Sequence, residues 1–437
     1  DIGVIAPGDM ALLTDDEEAA LLGITTTEVD AIERAVTQHD IRALVRRMQE
    51  LLPPPLQRWA HLPNTSYDVL DTGRILQFLR AHQAVLRPAI EKVVRIFISL
   101  IEEHAQTLQI GRTHGQHALP ITVGFWFATV LGRILFCARQ MDSFAQCLVG
   151  KISGAVGAHN AHLALGFAAR CKDESFERRV LAKLGLMPAP ISTQILPPEP
   201  LAFYLFSCTA LSAALAQFGR DCRHLMRTEI GEIGEDVEAG RVGSSTMAHK
   251  VNPISWEQTE GMYARIKAEF LKVLDTLISE HQRDLVGSSV ARDFPIIVVD
   301  LLIQLNTLLR PHKTTGVPFL ARIRVNREKL ARNFDMSAGH ILAEPIYIAL
   351  LMAGFDGDAH EVINTSAMAL VRARGISLLQ AIEELGQGDE GLAQAFARIP
   401  EEMRQLFSTP AQYLGDAPAL ACAVVTDAQA YLRRSHA

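Results

Sequence analysis

No basic tract in this sequence runs longer than two residues, and acidic residues outnumber basic ones, 49 against 42, for a net charge of −7. No nucleic acid and no anionic membrane is therefore expected as a general partner, because both recruit proteins through clustered cations. A local basic pocket for a small anion is still compatible with that total. Cys-x-x-Cys pairs are also absent: Cys137, Cys147, Cys171, Cys208, Cys222 and Cys422 stand apart, most of them inside apolar helical patterns. They read as reduced, buried thiols, which suits a cytoplasmic protein and excludes a disulfide scaffold. Charge breaks up the most apolar stretches, as Asp300 does after 294–299, so the ~20 uncharged residues of a membrane span are not expected. No basic-then-apolar leader opens the chain, and its start at Asp1 suggests that a native N-terminus lies upstream. Internal repeats, low-complexity tracts and alternating runs bounded by hairpin turns are missing too.

What is present is helical. Apolar residues make up 49% and charged residues 21% of the 437, the balance of a globular rather than a disordered chain. A chain this long exceeds the ~250–300 residues one core can serve, so two or three domains are expected. From 74 to 108, apolar residues recur at mixed spacings of three and four, which draws one stripe down a helix. Pro88 inside that stripe should kink the helix or mark its true start. Similar patterns cover 124–148, 201–233 and 255–278. Helices of that length suit a bundle, one that subunits can share, and the expected fold class is all-α. Turn-rich residues at 53–64 and a Pro/Gly/Thr cluster at 310–318 punctuate the pattern. The predicted division is an N-terminal helical domain, 1–66; a long-helix bundle, 67–319; and a C-terminal helical domain, 320–437.

Four segments carry chemistry. The first is Gly243-Ser244-Ser245-Thr246-Met247-Ala248-His249-Lys250-Val251-Asn252-Pro253. By composition it is an ordinary mobile Ser/Gly linker, with Pro253 opening the next helix. A serine in it becomes a base only if a neighbour such as the Lys250 ammonium, or loop amides, stabilises the alkoxide in a closed, dry site. The second is Gly111-Arg112-Thr113-His114-Gly115-Gln116-His117, where one imidazole near neutrality has the pKa that proton delivery to a leaving nitrogen requires. Structural histidines, or a metal pair at His114 and His117, are the plainer readings, although no further ligands cluster nearby. The third, Thr65-Ser66-Tyr67-Asp68, has the look of a helix cap. The fourth is Thr37-Gln38-His39-Asp40.

These segments, taken in order, resemble the fumarase/aspartase superfamily. The first matches its signature loop GSSxMxxKxN, with Ala248 where proline is usual. The second matches the form GRTHGQ found in the adenylosuccinate lyase family. Lys151-Ile152-Ser153-Gly154-Ala155-Val156-Gly157, Ser192-Thr193-Gln194, Arg283-Asp284-Leu285 with Ser288 and Arg292, and Leu342-Ala343-Glu344-Pro345 extend the likeness over roughly 30–435. The resemblance implies an anti β-elimination that frees fumarate from adenylosuccinate, and from the succinyl-aminoimidazole-carboxamide ribotide of purine biosynthesis. Ser244 would be the base, with Ser245, Met247, Lys250 and Asn252 gripping the carboxylate. His114 would be the general acid, paired with Glu257 and flanked by Arg112 and Thr113, while His39 with Asp40 would add a second imidazole. Thr65 and Ser66 would bind a carboxylate, Gln194 the nucleotide, and Arg283, Ser288 and Arg292 a phosphate, for which two guanidiniums and a hydroxyl are well suited. No metal and no cofactor are implied, since the substrate carboxylate is itself the electron sink. The implied assembly is a homotetramer whose active sites gather loops from three chains.

Three features depart from that family. No Arg-Tyr pair precedes His39, Ala248 stands in the signature loop, and Tyr67 stands where a small or acidic residue is usual. They leave two alternatives open: a superfamily lyase or cycloisomerase acting on a non-nucleotide succinyl-amine or a carboxymuconate, and a scaffold without turnover.

Overall fold

The structure, a computed structural model, describes residues 2–171, 174–236, 247 and 249–434. Its helices α1 (Asp40–Leu51), α2 (Ser66–Ala81), α3 (Arg87–Glu103), α4 (Val123–Gln146), α5 (Glu199–Leu225), α6 (Ile254–Asp275) and α7 (Phe294–Leu309) account for the long periodic stretches. The expected all-α class holds. The stripe read from residue 74 runs through α2 and α3, which are joined by the π-helical turn His82–Leu86. That wider turn takes up Pro88, which has no N–H to donate and whose ring would crowd the Ala84 carbonyl in a regular helix.

Two compact units divide the chain, the first from Asp1–Leu86, Gln140–Cys208 and Lys267–Val299, the second from Arg87–Arg139, Thr209–Ile266 and Asp300–Ala437. In the first, Tyr204 on α5 packs edge-on against Phe78 and His82, and His82 Nε2 meets Asp142 Oδ1 at 3.0 Å. Its centre also holds an ion pair excluded from water: Lys151 Nζ lies 2.5 Å from Asp68 Oδ1, both side chains wholly buried. Gly157 (φ 75) lets the 151–157 loop lie on Ser192, whose carbonyl oxygen would be 2.1 Å from any Cβ placed there.

The second unit is organised by aromatic rings. Phe97, Trp126, Phe127, Phe218 and Trp256 come from α3, α4, α5 and α6, and with Phe319 they form one cluster of edge-on, tilted and stacked contacts. Beyond 320, shorter helices enclose a separate apolar cluster that includes Leu342, Ile346, Ile363, Leu378 and Phe407.

Two expectations are corrected. Residues 200–219 carry no charge, and α5 alone among the described residues is long and apolar enough to cross a membrane. Yet Tyr204, Leu205, Cys208, Leu211, Leu215, Phe218 and Cys222 are fully buried, so α5 is apolar because it is a core helix. Strands also occur: β1 (Leu108–Thr113) pairs antiparallel with β2 (Gln116–Thr122), and Ile233–Gly234 pairs with Arg324–Val325.

Candidate active site

In the first unit, left-handed Gln38 (φ 48) turns the chain into His39, the N-cap of α1. Asp40 Oδ1 lies 3.1 Å from His39 Nδ1 and accepts the Ile41 N–H at 2.7 Å. The contact engages Nδ1 and leaves the Nε2 side of a half-exposed imidazole open. A nearby imidazole, His61, did not stand out in the sequence. Burial pushes its pKa down, the Arg42 charge adds to that, and His39 repels its proton while Asp68 attracts it. A histidine four residues before the Thr-Ser pair was the available signal.

Thr65 is the N-cap of α2, with its N–H donating to Asp68 Oδ2 at 2.8 Å, and Ser66 opens the first turn. The start of a 16-residue helix concentrates partial positive charge and unpaired N–H groups, a setting for an anion. Arg283 and Gln194 meet: Arg283 Nη1 donates to Gln194 Oε1 at 2.7 Å. The Arg283 guanidinium also lies over Tyr67, its carbon 3.6 Å from the ring centroid. Ser288 donates to the Leu285 carbonyl at 2.7 Å and, with Tyr67, lines a cavity of about 110 Å³. Arg292 is exposed and does not line it.

In the second unit, His114 (φ 53) and Gly115 (φ 75) form the two-residue turn between β1 and β2, with Thr113 opposite Gln116. Both turn residues in the left-handed region is the arrangement that matches hairpin twist. The hairpin escaped the sequence because its register shifts between Ile110 and Arg112, which breaks the alternation. Thr113 and His114 sit exposed at the tip.

Arg112 has a partner within the chain. Its terminal nitrogens reach Glu232 Oε2 at 3.1 Å and Oε1 at 2.6 Å, a bidentate pair. Fully buried Glu232 also accepts from Gln109 Nε2 at 3.0 Å and Asn333 Nδ2 at 2.8 Å. Arg112 Nη2 faces His117 Nε2 at 3.4 Å, so that nitrogen accepts, and His117 Nδ1–H donates to Ser337 Oγ at 2.8 Å. Burial first, then the Arg112 charge, hold the His117 pKa below its usual value. The network grips the hairpin beneath His114. Arg112→Lys, which keeps the charge but loses the fork, should therefore destabilise the fold by about 1.5–3 kcal/mol in a urea titration. An unchanged midpoint would remove the network from the account of how His114 is held.

Ser244 and Ser245 lie outside the described residues. The flanks of their segment are tied together: Glu235 Oε1 accepts the Ser255 N–H at 3.0 Å, and Arg310 Nη2 donates to Ser255 Oγ at 2.9 Å. Asp236 binds Arg322 at 2.9 Å and Arg324 at 2.6 Å. Met247 and Lys250 are exposed, Asn252 is half-buried, and the Lys250 N–H donates to the Met247 carbonyl at 3.0 Å. Glu257, in the first turn of α6, is exposed. The expected pairing of Glu257 with His114 is not made within one chain: among the described residues neither side chain has a hydrogen-bond or ion-pair partner.

Comparison with known proteins bears on the family and the fold. The family described as lyase matches residues 16–267. Adenylosuccinate lyases of Archaeoglobus fulgidus and Pyrococcus horikoshii are 34% and 33% identical to the chain, over 90% and 92% of it and 83% and 84% of their own lengths. The solved 3-carboxy-cis,cis-muconate lactonizing enzyme from Pseudomonas putida superposes at a TM-score of 0.76 with 25% identity, covering 100% of this chain and 91% of that one. A fumarate lyase from Mesorhizobium sp. BNC1, also at 0.76 but 21% identical over 95% of this chain and 90% of its own, speaks for the fold alone. The chain belongs to this lyase family and, within the fumarase/aspartase superfamily, to the adenylosuccinate lyases.

Proposed function

We propose that the chain cleaves adenylosuccinate to AMP and fumarate, and splits the succinyl-aminoimidazole-carboxamide ribotide in the same way, in purine biosynthesis. The observation that carries this reading is the alignment with adenylosuccinate lyases across 90% of the chain. Ser244 removes the proton from the carbon beside one carboxylate, and Lys250 and Asn252, with Ser245 and Met247, hold the aci-carboxylate that results. Its electron pair then forms the C=C bond of fumarate as the C–N bond breaks, and His114 or His39 delivers a proton to the departing nitrogen. Thr65 and Ser66 take the second carboxylate, Gln194 the nucleotide, and Arg283, Ser288 and Arg292 the phosphate.

The working form is a homotetramer in which His114 of one chain meets Glu257 of another. Exposed Phe136, Phe203, Phe206 and Leu271 on the long helices support an assembly, because a lone chain rarely leaves such side chains in water. Sedimentation should give four times the chain mass of 48.0 kDa. A monomer with full activity would remove the shared site. The free cysteines fit a reducing compartment, and we place the enzyme in the cytoplasm.

The direct test is ultraviolet-monitored cleavage of adenylosuccinate, with release of AMP and fumarate as the expected result. The likeness to the muconate lactonizing enzyme favours one other reading. An intact tetramer that leaves adenylosuccinate whole but turns over a carboxymuconate would establish it instead.

A further inference from the structure

We propose that Tyr67 is a positioning residue for the anionic end of the substrate: its ring locks the Arg283 guanidinium so that one bidentate edge faces an incoming oxyanion. The proposal deepens the reading of Arg283 as a phosphate ligand and rests on it. A guanidinium has two edges that donate to a pair of oxygens, one made by Nη1 and Nη2, the other by Nε and Nη2. Gln194 already takes one of the donors on Nη1, at 2.7 Å. On the second edge, Nε is buried and has no hydrogen-bond partner among the described residues. A buried N–H without an acceptor is costly, and an arriving oxyanion would satisfy it.

What fixes the plane of that edge is the ring. The guanidinium carbon lies over the Tyr67 ring, 3.6 Å from its centroid, a distance at which the ring face closes off one side of the guanidinium and limits its rotation. Tyr67 is itself held by its place in the helix. It lies in the first turn of α2 beside Asp68, whose buried carboxylate is tied to Lys151, and on the face that also carries Asp71, Arg74 and Ile75. Those side chains and Ser288 line the cavity beside the stack. Burial pushes the Asp71 carboxyl pKa up, against the pull of the Leu196 N–H, Arg74, Lys151 and Arg283, and the cation nearest its carboxylate is Arg74, at 3.9 Å. A small or acidic residue at 67 would supply no such platform, and an acidic one would compete for the guanidinium.

The test compares adenylosuccinate with its dephosphorylated nucleoside on the intact oligomer. Tyr67→Ala should raise KM for the phosphorylated substrate about 3- to 30-fold, the range expected of a partly desolvated cation–π contact, with kcat little changed. KM for the nucleoside should not move. Tyr67→Phe should restore the wild-type KM, since the stack needs the ring and not the hydroxyl. If the alanine variant does not fold, Tyr67→Leu keeps an apolar wall without a π face and carries the same comparison. Equal KM changes on both substrates, or none with Tyr67→Leu and Tyr67→Ala alike, overturn the proposal while the phosphate reading stands. Arg283→Ala separates the two: if it leaves KM for adenylosuccinate unaltered, the phosphate assignment of Arg283 fails as well.

Discussion

Replacing Ser244 with alanine is expected to lower kcat for adenylosuccinate cleavage by about 10²–10⁴-fold, the range a positioned general base contributes, while substrate affinity changes far less. A carbon acid beside a carboxylate is weak, and its proton leaves only to a base placed against it. A serine hydroxyl serves only where the alkoxide is stabilised, and Lys250 is the cation six residues away that can do so. Affinity should survive, because the groups proposed to hold substrate sit elsewhere: Thr65 and Ser66 at the start of α2, and Arg283 against Gln194. Ser245→Ala is the companion variant, expected to raise KM more than it lowers kcat. Isotope exchange sharpens the reading. The Ser244→Ala enzyme should no longer release deuterium from substrate labelled at the carbon that loses its proton. Turnover within a few-fold of wild type would remove Ser244 from the role of base.

The frame of this molecule was readable from the sequence because long helices repeat their apolar residues every three or four positions over five turns or more. Ends were less legible. The pattern on α5 was read to residue 233, but the helix stops at Leu225, and the following turn uses Gly231 at φ 65. The chain continues apolar past that stop because Ile233 enters a short ladder with Val325 and is buried there. The β1–β2 hairpin was missed for a related reason: a bulge and a His-Gly turn erase the alternation that marks a strand pair.

At the site, residue types were visible as motifs while their partners were not. Arg112 answers to Glu232, 120 positions along the chain, and Lys151 to Asp68, 83 positions back. Pairings at such separations leave no local spacing to read, so Glu232 and Asp68 passed as ordinary acids. Tyr67 was noticed only as a departure, and its reason is a guanidinium that lies more than two hundred residues later in the chain.

Lys151→Met should destabilise the folded chain by about 3–5 kcal/mol, because it strands a carboxylate in an interior that excludes water. Asp68 would keep three backbone donors, Thr65 N–H at 2.8 Å on Oδ2 and Ser153 and Gly154 N–H at 3.1 and 3.2 Å on Oδ1. Those dipoles do not neutralise it. Asp68→Asn should cost a similar amount from the other side, leaving a buried ammonium with amide and carbonyl oxygens for company. The double variant Asp68→Asn with Lys151→Met removes both charges and should recover much of the loss, a coupling that urea midpoints at constant slope would report. Two single variants that each cost under about 1 kcal/mol would mean that water reaches the pair and that its burial is not what holds this region. The pair also joins two parts of the proposed site. Asp68 caps the α2 start through Thr65, and the Lys151–Gly157 loop touches Ser192, whose hydroxyl meets Ser153 Oγ at 2.8 Å two residues before Gln194. Variants that still fold should therefore bind substrate less tightly, with KM raised by changes to side chains that are wholly buried.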